Sequence, residues 1–271
     1  MLLAHAARFL ARRGKGVVVL DFDFEAPGLH YKFGIERATA GGVVPYLIAT
    51  LGGAASPPPF DDHMIAALVP AGAEGWVRLM PAGPAPHRSY WAALKELGDR
   101  LRLTDLSGRG FMALLDLQAR IADELKPDYL LIDARTGVTE LGGLATTVLA
   151  DTVGCLLAPN NESVGGTLAV GQAMKASPRL ANQKPLRIVP VLSRTPPGIT
   201  RDAYYTSSIA RLMAARGMIP EGSLPFVLPH DAELRTFEDL FGPSDSESPL
   251  YQAYVELFLE LFPDASPASG T

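Results

Sequence analysis

The chain holds a single cysteine, Cys155, among 271 residues. One thiol excludes an internal disulfide framework and a Cys-rich zinc site, and it fits a reducing, cytoplasmic setting. An excess of basic charge is also missing: 24 Lys and Arg stand against 29 Asp and Glu, a net charge of −5. That balance is not the footprint of a dedicated nucleic-acid binder. A local cluster of Lys175, Arg179, Lys184 and Arg187 leaves nucleic-acid contact open, but it reads first as a solvated surface. No segment qualifies as a membrane span. The longest charge-free run, Ala38 to Phe60, is interrupted by Gly41, Gly42, Pro45, Gly52, Gly53 and Pro57 to Pro59. These residues break the continuous helix that hydrocarbon requires. The N-terminus has neither a basic n-region nor a small-residue cleavage site of a signal peptide. His5, His30, His63, His87 and His230 lack metal-ligand spacing, and no Gly-x-Ser-x-Gly elbow supplies a serine nucleophile.

What is present is apolar and orderly. Hydrophobic residues make up 48% and charged residues 20%, which supports a sizeable core and excludes a largely disordered chain. Apolar runs predict strands at Val17–Phe22, Trp76–Met80, Asp128–Ile132, Thr152–Leu157, Leu186–Leu192 and Leu224–Val227. They are continuous rather than alternating, as expected of parallel strands covered on both faces. Helical stretches fall between them, at Val43–Leu51, Tyr90–Leu97, Gly110–Leu125, Leu141–Leu149, Ser163–Ala176, Asp202–Arg216 and Pro249–Leu261. A further helix opens the chain, with Leu3, Ala6, Ala7 and Leu10 on one face and Gly14 as its stop. The alternation predicts an α/β fold, doubly wound around a mostly parallel sheet, as one domain over residues 1–262 with a disordered tail at 263–271.

Two strands end in acid. Val17-Val18-Val19-Leu20-Asp21-Phe22-Asp23 delivers two carboxylates to the C-terminal end of a buried strand, where α/β folds place their ligands. Alternation turns Asp21 and Asp23 to one face, where repulsion demands a cation or hydrogen-bond donors. A Mg²⁺ or phosphate site is the sharper reading; simple capping of the following loop is the plainer one. Asp128-Tyr129-Leu130-Leu131-Ile132-Asp133 has the form of a Walker B strand, whose carboxylate holds Mg²⁺ through water. Gly137, Gly142 and Gly143 then allow a mobile loop.

Together these segments resemble the ParA/MinD-like P-loop ATPases, the class with a deviant Walker A motif. DFDFEAPG resembles the family's Asp-x-Asp switch I motif, KPDYLLIDARTG its Walker B and switch II region, and TVGCLLAPNNESVGGT the strand and helix that follow. LRIVPVLSRTPP and LPFVLPHDAELRTFED resemble the late segments that enclose the nucleotide base. The wording EAPGLH is closest to a subgroup with a Gly-Arg-type phosphate loop. The resemblance implies ATP and Mg²⁺ as cofactors and a homodimer formed across the nucleotide and reset by hydrolysis. It implies that Asp21 and Asp133 hold the Mg²⁺ water shell and that Asp23 orients the attacking water. Ser193, Arg194, Pro229 and His230 fall near the base. Ser193 departs from the family's usual Asn, and Arg135 from its usual Pro.

One family feature is absent from these residues: the strand with a Lys-Gly-Gly-x-Gly-Lys-type loop. Gly14-Lys15-Gly16 is no substitute, because it follows a helix and opens a strand, the reverse of a P-loop. The absence predicts unpaired apolar strand edges beside the Walker B strand. It also keeps an alternative open: a start upstream of Met1 that supplies the loop, or a non-catalytic interaction module of the same fold with an unknown protein partner. The apolar stripe Leu250, Tyr254, Leu257, Phe258 and Leu261 is flanked by Glu256, Glu260 and Asp264, so it reads as core packing, with no membrane contact.

Overall fold

The computed structural model describes residues 1–36, 41–53, 56–67, 69, 72–84, 88–101, 108–134, 143, 145–177, 184–196, 199–200, 203–231 and 247–265. The chain forms two compact units, Met1–Ala145 and Thr146–Thr271.

The first unit opens with helix α1 (Leu2–Arg12), which buries Ala4, Ala7, Phe9 and Leu10. Gly14 ends it at φ +73°, a left-handed conformation that glycine adopts without strain. Strand β1 (Gly16–Asp21) is buried along its whole length. Strands β2 (Ile65–Ala66), β3 (Trp76–Met80) and β4 (Tyr129–Asp133) complete a sheet in the order β2-β3-β1-β4. β1 runs parallel to both β3 and β4, and the short β2 is antiparallel to β3. The predicted Gly-Lys-Gly helix stop holds. Gly16 N–H donates to Asp128 Oδ2 at 2.7 Å, and Lys15 Nζ lies 3.7 Å from Asp128 Oδ1. Lys15 therefore sits at the opposite end of β1 from Asp21.

Helix α2 (Leu29–Lys32) follows β1, and α3 (Val43–Leu51) begins where the chain leaves β3: Val43 and Val44 N–H donate to the Pro81 and Ala82 carbonyls at 2.8 and 2.9 Å. Helix α4 (Arg88–Leu101) outruns the Tyr90–Leu97 expectation at both ends. Its polar last turn stays helical with a Glu96–Arg100 ion pair at 2.6 Å, which apolar periodicity does not register. The predicted Gly110–Leu125 helix divides into α5 (Arg109–Arg120) and a wider π turn at Ile121–Leu125, and Lys126 closes it at φ +48°. The start of α5 crosses the end of α4 closely, since a Cβ on Gly110 would overlap the Leu101 carbonyl oxygen. β4 ends the sheet. Among the described residues no strand pairs with its outer edge, and its residues are half-buried where those of β1 are buried.

The second unit is a parallel three-stranded sheet, β5 (Thr152–Leu157), β6 (Arg187–Thr195) and β7 (Phe226–Pro229), in that order. Helix α6 (Asn161–Ala176) is capped by Asn160, whose side chain accepts from Ser163 N–H at 2.8 Å. Helices α7 (Tyr204–Ala215) and α8 (Pro249–Leu261) follow. Leu168, Met174, Ile188, Leu192, Ile209 and Met213 form the core. α8 buries Leu250, Tyr254, Leu257 and Phe258, so this stripe is packing surface. No described helix is long and apolar enough to cross a membrane. Of the predicted disordered tail, Pro263–Ala265 instead forms a 3₁₀ turn with Ala265 buried, and 266–271 lie outside the described residues. Of the predicted Leu141–Leu149 helix, Ala145–Leu149 forms a π turn.

The crossing at Gly110 gives a direct test. Gly110→Ala should cost about 1–3 kcal/mol by overpacking a rigid backbone contact. Gly98→Ala, on the open face of α4 with nothing within 4 Å, should be neutral or stabilising. Urea midpoints of the two variants check this, and equal effects would contradict the contact.

Candidate functional site

Parallel pairing places Asp21 directly opposite Asp133 at the C-terminal ends of β1 and β4. The ladder continues one step further, where Phe22 N–H donates to the Asp133 carbonyl at 3.0 Å. Asp21 is fully buried, with 0% exposure. Burial, and then the neighbouring Asp133 charge, push its carboxyl up from 3.8 to about 7. Burial also raises Asp133, reinforced by the charge of Asp23. The two acid-terminated strands of the sequence are thus neighbours in the sheet, with their acids at the same end.

The loop after β1 folds back onto its own acids. Asp21 Oδ1 accepts from Asp23 N–H at 3.1 Å and Oδ2 from Leu29 N–H at 3.3 Å, while Asp23 Oδ1 accepts from Ala26 N–H at 3.3 Å. Both carboxylates thus act as loop caps, the plainer of the two sequence readings, and this does not exclude a ligand, since each oxygen has a second lone pair. Asp23 is half-buried, more open than Asp21. Two nearby groups are not singled out as site residues by the sequence. His30 on α2 is buried with neither ring nitrogen hydrogen-bonded, and burial lowers its pKa, so it is held neutral. Tyr90, in the first turn of α4, donates its hydroxyl to the Phe24 carbonyl at 2.7 Å. No local signal marks either one, because each role depends on contacts remote in sequence.

In the second unit the expected base-side residues gather at the C-terminal ends of β6 and β7. Ser193 Oγ donates to the Leu157 carbonyl at 3.3 Å, tying β6 to β5. A register shift between Ser193 and Thr195 throws Arg194 out of the ladder at φ +57°, with its side chain exposed. Thr195 Oγ1 donates to the Leu228 carbonyl at 3.2 Å, and His230 N–H to the Thr195 carbonyl at 2.9 Å. Pro229 ends β7 half-buried, and His230 is exposed. Arg135 and Gly137, on the expected mobile loop, lie outside the described residues. Among the described residues no group of three or more His, Cys, Asp or Glu side chains forms a metal cluster. Cys155 is half-buried, and burial raises its thiol to about 11, as expected of an unreactive packing residue.

No protein-family model matches the chain, and no curated protein sequence does. Solved structures do. The cell division ATPase MinD of Pyrococcus furiosus superposes with a TM-score of 0.63 at 19% identity, over 96% of this chain and 91% of that one. The septum site-determining protein MinD of Pyrococcus horikoshii, complexed with Mg-ADP, gives 0.63 at 17% identity, over 98% and 90%. The fold is that of the MinD and ParA ATPases. Cobyrinic acid a,c-diamide synthase of Mycobacterium smegmatis, with bound ADP and magnesium, gives 0.58 at 15% identity, over 98% and 89%. Enzymes of different purpose thus share this MinD-type fold, and the fold alone does not choose among them.

The buried acid pair makes stability depend on pH. A carboxyl raised to about 7 in the folded chain against an ordinary 3.8 favours folding fully below about pH 4. That contribution is lost as pH rises through about 7, up to about 4 kcal/mol shared with the neighbouring Asp133. Asp21→Asn, neutral at every pH, should therefore gain on the unmutated chain between pH 4 and 7.5 in urea unfolding. A pH-independent difference would contradict the buried repulsion.

Proposed function

We propose that the chain is the nucleotide-binding domain of a cytoplasmic MinD/ParA-type switch that, in an intact protein carrying a phosphate loop, binds ATP with Mg²⁺, forms a homodimer in the nucleotide-bound state and is reset by hydrolysis. The observation that carries this reading is the Asp21–Asp133 register at the end of a buried parallel ladder. The donor set fits a divalent cation held through water: two hard oxygen ligands stand side by side, and one is destabilised as an anion until positive charge arrives. Bound Mg²⁺ would supply neutralisation of phosphate charge. The protein's own contributions are distinct. Asp21 and Asp133 would hold the water shell, and Asp23, the more open carboxylate, would orient the attacking water. Ser193, Arg194, Pro229 and His230 would contact the base. Catalysis of this kind is mainly positioning and charge stabilisation.

A second reading, a non-catalytic interaction module, draws support from the loop caps: backbone N–H groups already satisfy the carboxylates. It also accords with the lack of a glycine-rich phosphate loop in these 271 residues. Without those N–H groups and a loop cation the triphosphate loses its main ligands. Isothermal titration should therefore show Mg·ATP binding weaker than low micromolar, with no appreciable turnover; tight binding would overturn this.

The carboxylate roles separate in a chain supplied with a phosphate loop ahead of α1. Asp23→Asn should cut hydrolysis roughly a hundredfold or more while nucleotide-dependent dimerisation persists. Asp133→Asn should lower nucleotide affinity and turnover together. Hydrolysis at the unmutated rate in Asp23→Asn would return the acidic strand to a purely structural role.

A further inference from the structure

The loop that carries Asp23 is held from outside by a side chain that the proposed mechanism does not use. Tyr90 lies in the first turn of α4 and is 1% exposed. Its hydroxyl reaches the carbonyl of Phe24, the residue between Asp23 and Glu25, at 2.7 Å, a well-formed O–H···O bond across 66 positions of sequence. The ring itself is fixed. It lies against Gly83, where an added Cβ would stand 2.7 Å from the ring carbons, and that stretch also accepts the first N–H groups of α3 through Pro81 and Ala82. Burial, then the Asp21 and Asp23 charges, raise the Tyr90 hydroxyl pKa and keep it protonated, a permanent donor. Within the segment, Asp23, Ala26 and Leu29 N–H donate to the Asp21 and Asp23 carboxylates.

We propose that Tyr90 is a positioning residue: its hydroxyl, donated to the Phe24 carbonyl, ties the Asp21–Leu29 segment to α4 and thereby sets where the Asp23 carboxylate stands. Any change in the set of α4 then moves Asp23. The inference deepens the nucleotide-switch reading and rests on it for its functional meaning, whereas the tether is a property of the nucleotide-free chain.

Tyr90→Phe removes the hydroxyl and keeps the ring. Amide exchange should accelerate about fivefold at Asp23, Ala26 and Leu29, as expected for one lost buried hydrogen bond. Exchange at Val17–Leu20 in β1 should stay unchanged. Unchanged exchange at the loop amides overturns the proposal. So does equal acceleration in β1, which is the signature of a merely structural side chain. Should Tyr90→Phe fail to fold, the hydroxyl proton of the unmutated chain decides: a slowly exchanging resonance supports the tether, and exchange too fast to detect overturns it. Exchange of the unmutated chain in millimolar Mg·ATP tests the other limb. Protection of the same amides supports the switch reading. No protection counts against that reading alone, because the tether is judged without nucleotide.

Discussion

The parallel pairing of β1 with β4 sets two carboxylates side by side at the end of the ladder, one of them with no access to water, and the neighbouring structure answers that repulsion. Asp21 is fully buried opposite Asp133, and its carboxyl is pushed to about 7. Two backbone N–H groups are spent on Asp21, one on Asp23, and the loop between Phe22 and Leu29 takes its shape from them. The opposite end of β1 uses the same device in milder form: Asp128 accepts from Gly16 N–H and faces Lys15, but it remains partly exposed and needs no further support. One strand thus has an acid at each end of its β4 pairing. Only at the Asp21 end does burial beside a second acid push a carboxyl up to about 7.

That asymmetry also bears on why Lys15 is not a phosphate-binding lysine. A backbone cradle for phosphate needs N–H groups converging at a helix start after a strand. Gly14 instead terminates α1 in the left-handed region, Lys15 N–H donates back to the Leu10 carbonyl, and Gly16 N–H is committed to Asp128. The order of helix, glycine and strand decides the matter.

What the sequence showed and what it hid divide along physical lines. The acid-terminated strands were legible because a charged residue closing an apolar run is a local pattern, and the Trp76–Met80 and Thr152–Leu157 strands match to the residue. The α4 ends were hidden because its last turn is polar and held by an i,i+4 ion pair. The π turn at Ile121–Leu125 continues the apolar spacing of α5, so periodicity reads straight through it. The bulge that ejects Arg194 depends on how β6 and β7 pair, and Tyr90 depends on a partner far along the chain. Neither has a signature within its own window of sequence.

Strands of a parallel sheet are ordinarily covered on both faces and paired on both edges, which is why they tolerate runs such as Leu130-Leu131-Ile132. Among the described residues β4 ends its sheet with such a run half-buried, and β5 ends its own with Leu156 at 47% exposure. Neither strand has the lysine or proline that exposed edges use against association. In the MinD-type fold implied by the resemblance, a strand beside the Walker B strand leads into the phosphate loop. A strand laid along β4 in parallel would end beside Asp133, at the sheet end where the buried carboxylates call for positive charge.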